Sequence, residues 1–278
     1  MLRIVADQGD LIFTPVTFNN PFINYALTPA HHNMGHVIFS IVEVFNFFPN
    51  DYASTRGRHH TISNDLKCTV VTSSQHGQCK SVKFTNVPSF LHSSELVVGC
   101  PELGELIFDV SYGGNFYAIV DVQKNFKGLE NYSADKLITW ARELRKNINA
   151  KYEFVHPEDP TINYCTHVLW AGAVIDQTST ARNAVFYGDK AIDRSPCGTG
   201  TSARMAQWYT KGLLKKGDEF IHESIIGSKF IGRIEEELSV DGKPAIKPSI
   251  EGWARIYGHN IISIDKDDDP YAYGFQVV

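Results

Sequence analysis

The sequence lacks any apolar run long enough to cross a bilayer. Its longest candidate, residues 37–48, is broken by Ser40, Glu43 and Asn46, far short of the ~20 apolar residues that a spanning helix needs. The start carries an acid, Asp7, where a secretory leader would place its apolar segment. No Cys-x-x-Cys pair occurs among the five cysteines, Cys68, Cys79, Cys100, Cys165 and Cys197. An odd number at irregular spacings signals neither a disulfide framework nor a zinc knuckle. Basic clusters are missing as well: 31 acids face 26 Lys and Arg, a net charge of −5. That balance argues against a partner held mainly through nucleic-acid phosphates. The expectation is a cytoplasmic protein that acts on a small molecule, with no membrane, nucleic acid or metal among its partners.

What is present is an ordinary globular composition. The chain has 278 residues, 43% of them apolar and 21% charged, enough to build a core without staples. β-Branched and aromatic runs bounded by turn residues predict strands at 11–18, 66–72, 81–84, 105–110 and 115–122. They resume at 164–170, 184–187, 220–226, 229–234, 245–250, 253–257 and 261–264. Helical periodicity is confined to three stretches, 35–48, 133–148 and 201–214. The second is the best punctuated, with Ser133 as N-cap, Leu137, Trp140, Ala141 and Leu144 on one face, and Arg142, Arg145 and Lys146 toward its end. The third is expected to stop against Lys215-Lys216-Gly217. Many strands with few helices give an α/β (α+β) protein.

The richest stretch is Asp193-Arg194-Ser195-Pro196-Cys197-Gly198-Thr199-Gly200-Thr201-Ser202-Ala203-Arg204. It reads as a strand end, a Pro-Cys-Gly turn and a helix start. The first N–H groups of a helix have no intrahelical partner, and the helix dipole favours negative charge there. A cysteine in that place is expected to titrate below an ordinary thiol and to react with iodoacetamide before Cys68, Cys79, Cys100 and Cys165. The same N–H groups suit a substrate carboxylate, and Asp193 suits a substrate ammonium group. Gly198-x-Gly200-x-x-Ala203, with Asp218 beyond it, also fits a dinucleotide fingerprint. That reading is rejected because Pro196-Cys197 separates the strand from the first glycine and Asp218 opens a strand instead of closing one.

The string 193–203 resembles the signature around the second catalytic cysteine of the proline racemase and 4-hydroxyproline epimerase family. Further likenesses follow in order: Asn86-Val87-Pro88-Ser89-Phe90, Ser111-Tyr112-Gly113-Gly114-Asn115-Phe116-Tyr117-Ala118, His156-Pro157, residues 223–232, and Asp267-x-Asp269-Pro270 with Gly274-Phe275. The resemblance implies two similar lobes of the diaminopimelate-epimerase kind, each a curved mixed sheet around a central helix, with the active site between them. Residues 1–118 with 268–278 would form the first lobe and 119–267 the second. It implies a cofactor-independent racemase or epimerase that inverts the α-carbon of 4-hydroxyproline or proline by thiol acid/base chemistry. Cys197 would be one proton carrier, Asp193 would meet the substrate amine, and Gly198 and Thr199 would hold the carboxylate. Tyr187 falls where the family places a pocket aromatic. A homodimer is compatible with the family's habit.

The first catalytic cysteine of the family sits in a Met-Cys-Gly-His stretch, and here the text reads Asn33-Met34-Gly35-His36. Methionine has no exchangeable proton and cannot be acid or base. Gly35 and His36 keep the family pattern, so His36 is a candidate to polarise the carboxylate or act as the base. Cys68 and Cys79 are poor replacements, one in a strand-like run and the other after a Gly77-Gln78 turn. His31-His32 and His59-His60 read as loop residues. The missing thiol also raises an alternative, an inactive homologue that binds a small imino acid. A 3-hydroxyproline dehydratase fits less well, because those members keep the first cysteine and replace the second with threonine.

Overall fold

Phe116-Tyr117-Ala118-Ile119-Val120 is apolar at every position, and its side chains divide between two cores. Phe116, Ala118 and Val120 belong to one buried cluster, and Tyr117 and Ile119 to another. Successive strand residues point to opposite faces, so a strand covered on both sides reads as a continuous apolar run. The same division recurs at Val168 and Trp170 against Leu169, and at Ala184 and Phe186 against Val185.

The computed structural model describes residues 4–7, 10–13, 56–59, 66–69, 71–75, 78–253 and 267–268, with side chains at 81, 83–253 and 267–268. The chain divides into two compact units, Met1–Phe84 with Trp253–Val278, and Thr85–Gly252. In the first unit, β1 (Ile4–Asp7) pairs antiparallel with β2 (Asp10–Phe13), and β3 (Arg56–His59) with β4 (Leu66–Thr69). β5 (Val71–Gln75) pairs antiparallel with β6 (Gln78–Thr85). Cys79 lies within β6 and not in a turn. The helix expected at 35–48, and the strands expected at 14–18, 254–257 and 261–264, lie outside the described residues.

The second unit is built on a closed ring of eight strands. Around it run β7 (Ser89–Cys100), β8 (Gly104–Tyr112), β9 (Phe116–Val120), β10 (Cys165–Gly172) and β11 (Ala181–Tyr187). β12 (Ala191–Ile192) pairs with β11 from outside this path, and β13 (Glu219–Glu223), β14 (Lys229–Val240) and β15 (Lys243–Gly252) complete it. Neighbours are antiparallel except β9 with β10 and β11 with β13, and β15 returns to pair with β7. The boundary drawn from the sequence at 118/119 cuts through β9, because β7, β8 and β9 are hydrogen-bonded into the same sheet as β10. β7 itself escaped the sequence reading. Its alternation is broken by register shifts around Ser93 and by Glu95 at φ +57°.

Two helices cover the two faces. α1 (Ala134–Lys151) buries Leu137, Trp140, Ala141, Leu144 and Ile148 in the outer core, and Ser133 caps it by accepting from the Lys136 N–H at 3.3 Å. Arg142 and Arg145 do not serve the helix dipole alone. They donate to the carbonyls of Asp189 and Gly188, fixing the turn that follows β11. α2 (Gly198–Thr210) is buried continuously from Gly198 to Gln207 and touches β7, β8, β9, β14 and β15. It begins three residues before the expected start. It also ends early, at Thr210, and Gly212 follows at φ +72°, where the Gly212 and Leu213 N–H groups donate to the carbonyls of Tyr209 and Trp208.

A helix enclosed by strands must be slim, and the fit is tightest at Gly113. A Cβ there would lie 2.2 Å from the Thr199 carbonyl oxygen and 2.5 Å from the Ala203 nitrogen. Both obstacles are helix backbone, which cannot rotate aside. Gly113→Ala should therefore lose at least about 3 kcal/mol of unfolding stability, the upper end of overpacking, read as a lower urea midpoint at unchanged m-value. A loss below about 1 kcal/mol would show that the helix can retreat.

Candidate active site

Cys197 is the N-cap of α2 and is held in a backbone conformation unusual for a side-chain-bearing residue, φ +65°. Such a conformation costs about 1–3 kcal/mol and persists only where its surroundings determine it. Three hydrogen bonds do so here. The Cys197 N–H donates to Ser195 Oγ at 3.1 Å, and its carbonyl accepts from the Thr201 N–H at 2.7 Å and from Thr201 Oγ1 at 2.8 Å. One step upstream, the Ser195 N–H donates to Asp193 Oδ1 at 2.8 Å, and the Asp193 N–H to the Val185 carbonyl at 2.9 Å. Two successive side-chain turns thus wind the chain from β12 into the helix.

Behind Thr201 stands His222 on β13. Thr201 Oγ1 gives its proton to the Cys197 carbonyl, so it accepts from His222 Nδ1 at 2.9 Å. This assigns the proton to Nδ1 and leaves Nε2 bare and buried, with no hydrogen-bond partner among the described residues. Burial pushes the imidazole down to about 3, with the nearby Arg204 charge acting in the same direction.

The Cys197 sulfur faces β9. It lies 3.4 Å from the Tyr117 hydroxyl and 3.8 Å from Thr199 Oγ1, and those two hydroxyls are 2.5 Å apart. The thiol is only 2% exposed. Burial raises it to about 12, and Asp193 adds to the rise. Hydrogen bonds from Tyr117, the Gly200 N–H and Thr199 oppose it. The expectation of a depressed thiol is therefore corrected: the helix start does favour the thiolate, but desolvation and the Asp193 carboxylate outweigh it. Cys100 and Cys165 are also buried and raised to about 12, which removes the basis for expecting Cys197 to react first.

The other sequence candidates divide. Gly198 and Thr199 are the first two residues of α2, and their N–H groups lack intrahelical acceptors by helix geometry. Asp193 is buried at 9% exposure, and its charge acts on Cys197. Tyr187 ends β11, half-buried, its phenol pushed up by burial and by the charges of Asp193 and Cys197. Gly35 and His36 lie outside the described residues. The glycines of the dinucleotide-like string are inside α2, so no phosphate-binding loop exists there. Among the described residues no group of three His, Cys, Asp or Glu is placed to hold a metal ion.

The proline racemase family model matches residues 63–276. The chain belongs to the proline racemase family. It is 65% identical over 198 residues to a 4-hydroxyproline 2-epimerase of Spirosoma linguale, covering 71% of this chain and 59% of that protein. A 4-hydroxyproline epimerase of Brucella ovis is 60% identical over 204 residues, 73% of this chain and 61% of its own. The chain therefore matches about six tenths of the length of these relatives. Among solved structures, a probable proline racemase from Agrobacterium radiobacter with bound carbonate superposes with a TM-score of 0.72 at 32% identity, covering 87% of this chain and 70% of its own. A hydroxyproline epimerase from Agrobacterium vitis with bound trans-4-hydroxy-L-proline gives 0.73 at 31% identity, covering 87% and 69%.

Sequence reasoning missed the site's supports. Tyr117, His222 and Gly113 carry no local pattern that marks them, and Thr201, though inside the string 193–204, carries none that shows its bond to His222. Only the family likeness of residues 111–118 drew attention to Tyr117 and Gly113.

His222 gives a pH signature. The unfolded imidazole binds a proton near 6.5 and the folded one near 3, so the unfolded state holds more protons between those values. Stability is complete above pH 6.5 and falls as the pH drops toward 3. His222→Gln should flatten the stability–pH curve between pH 6 and 4 by up to about 1.4 kcal/mol per unit, measured by urea midpoints. An unchanged slope would mean that His222 is not buried and neutral.

Proposed function

We propose that this protein is a 4-hydroxyproline 2-epimerase acting by cofactor-independent proton transfer at the α-carbon, with Cys197 as one proton carrier. The observation that carries this reading is a buried cysteine at the start of a helix, its sulfur oriented by Tyr117 and Thr199 and its backbone held at φ +65°. The names of the relatives and the bound hydroxyproline of the Agrobacterium vitis structure support the substrate class.

In this reading the Gly198 and Thr199 N–H groups receive the substrate carboxylate, and Asp193 receives the ring ammonium. The first interaction favours loss of the α-proton, because the carboxylate that gains negative charge sits against preorganised donors, and the second orients the ring. Cys197 keeps its proton in the unliganded protein. It is therefore set to donate S–H to the α-carbon on one face while a base removes the original proton from the other. In the reverse direction the thiolate is the base. Tyr187 supplies an aromatic wall with a hydroxyl suited to the 4-hydroxyl group. Gly35-His36 is the sequence candidate for the opposite carrier.

A second reading is favoured by one observation, the absence of a thiol from residues 33–36: a homologue that binds a small imino acid without turnover. One experiment separates the two. Incubated with trans-4-hydroxy-L-proline in deuterium oxide, the protein should incorporate α-deuterium and form the C2 epimer, and Cys197→Ser should slow this by about 10²–10⁴-fold. No exchange at high protein concentration, with calorimetric binding of pyrrole-2-carboxylate retained, would establish the second reading instead. Met34→Cys should raise exchange if position 34 takes the place of the family's first cysteine.

A further inference from the structure

Tyr117 is fully buried at the centre of β9, in a cluster whose other members are Ile119, Leu169, Val185, Ala203 and Cys197. A phenylalanine would suit these apolar surroundings without a polar group to satisfy. The hydroxyl needs another reason. On one side, the ring stacks on His167, with centroids 4.7 Å apart and planes 27° from parallel. His167 is its register partner on β10. On the other, Gly200 leaves room for it: a Cβ there would lie 3.3 Å from Tyr117 Cε1 and 3.2 Å from Cys197 Sγ. The ring is thus clamped, and only its O–H can turn.

That O–H has two acceptors, Thr199 Oγ1 at 2.5 Å and Cys197 Sγ at 3.4 Å. With Cys197 protonated, three groups with one proton each close a triangle. A phenol is a stronger donor than an alcohol, so the short contact is assigned as Tyr117 donating to Thr199 Oγ1, which makes Thr199 the donor to the sulfur and the sulfur the donor to the phenol oxygen. Removal of the S–H proton breaks one side and leaves an electron pair and negative charge on sulfur. The phenol proton then has a charged acceptor within reach, and hydrogen bonds to charged groups are about twice as strong as neutral ones.

We propose that Tyr117 is a positioning residue whose hydroxyl turns from Thr199 Oγ1 to Cys197 Sγ when the thiol gives up its proton, so that the thiolate forms without any group having to move in. The proposal rests on the reading of Cys197 as a proton carrier. No proton leaves Tyr117, since burial holds its phenol well above the ordinary range. Its part is to donate a hydrogen bond.

The test needs no substrate. Iodoacetamide labelling of Cys197 is followed by peptide mass spectrometry near pH 8.5 and divided by labelling of Cys165. Cys165 is buried, reduced and on the neighbouring strand, so general loosening raises both rates and leaves the ratio alone. Tyr117→Phe should lower the ratio by about tenfold or more, the range for a lost hydrogen bond to a charged group. A 3-fluorotyrosine at position 117, a more acidic donor of nearly the same shape, should raise it above the wild-type value. A ratio unchanged or raised by Tyr117→Phe would overturn the proposal. If that variant fails to fold, the fluorotyrosine protein decides alone: its ratio must exceed the wild-type ratio, and an equal or lower one refutes the proposal. Deuterium exchange by the wild-type protein is scored separately, so an inactive protein with a responsive ratio would sink the proposed reaction and spare the Tyr117 contact.

Discussion

The feature on which the rest of the second unit depends is the enclosure of a helix start inside a ring of strands. Helix ends usually face water, because their unpaired N–H groups need partners. Here α2 is buried from its first residue, and Cys197 with it. Enclosure requires a slim helix, which explains the run of glycine, threonine, serine and alanine from Gly198 to Ala203. It requires an equally bare wall, which Gly113 provides against Thr199 and Ala203, and Gly232 against Met205. Two glycine positions, one in the turn between β8 and β9 and one on β14, are thus set by one helix.

Enclosure also dictates polarity. Each group buried with the helix has to be satisfied by the protein, and the pattern of hydrogen bonds follows from that demand. Asn86 donates to the Gly113 carbonyl and to Ser202, tying the close approach together. Farther along α2, Arg204 and Gln207 meet Asp121 and Asp109. At the other end, Ser228 Oγ donates to the Arg194 carbonyl, and Ser228 is itself bound to Ser224. The segment from Asp193 to Cys197 is therefore braced on both flanks. The strained φ of Cys197 is a consequence of this bracing, because the chain must turn from β12 into a helix with no room to swing wide.

Legibility in the sequence followed how local the signal was. α1 was readable almost residue by residue, since its cap, its apolar face and its length are all written within the helix. The two-sided strands were readable as apolar runs, but β7 was not, because a bulge interrupts its alternation. α2 was half-read: the small residues that fit it into the ring also imitate a dinucleotide fingerprint, and Gly212 stops it before the expected lysines. The site was found through one string, 193–204, yet its electrostatics came out with the wrong sign. A helix start argues for a thiolate wherever it stands, whereas the desolvation that reverses the argument is set by strands distant in the chain. Tyr117, His222 and the part played by Thr201 were hidden for the same reason, as these roles exist only after the ring has closed.

A thiol held at about 12 bears on the proposed reaction. An isolated base of that strength would be almost wholly protonated at neutral pH, and as a resting nucleophile it would be feeble. As one of two proton carriers, the same thiol is well suited, because in each direction one carrier must start protonated. An α-carbon is itself a very weak acid, and a weakly acidic thiol matches it better than a strongly acidic one. What remains is to keep the thiolate accessible as a transient state. Burial alone would forbid it. Donors already within reach of the sulfur (Tyr117, Thr199 and the Gly200 N–H) supply the counterweight. The site therefore combines a dry setting that keeps the proton in place with prearranged dipoles that accept the charge when it leaves. A helix start enclosed by strands provides both from the same few residues.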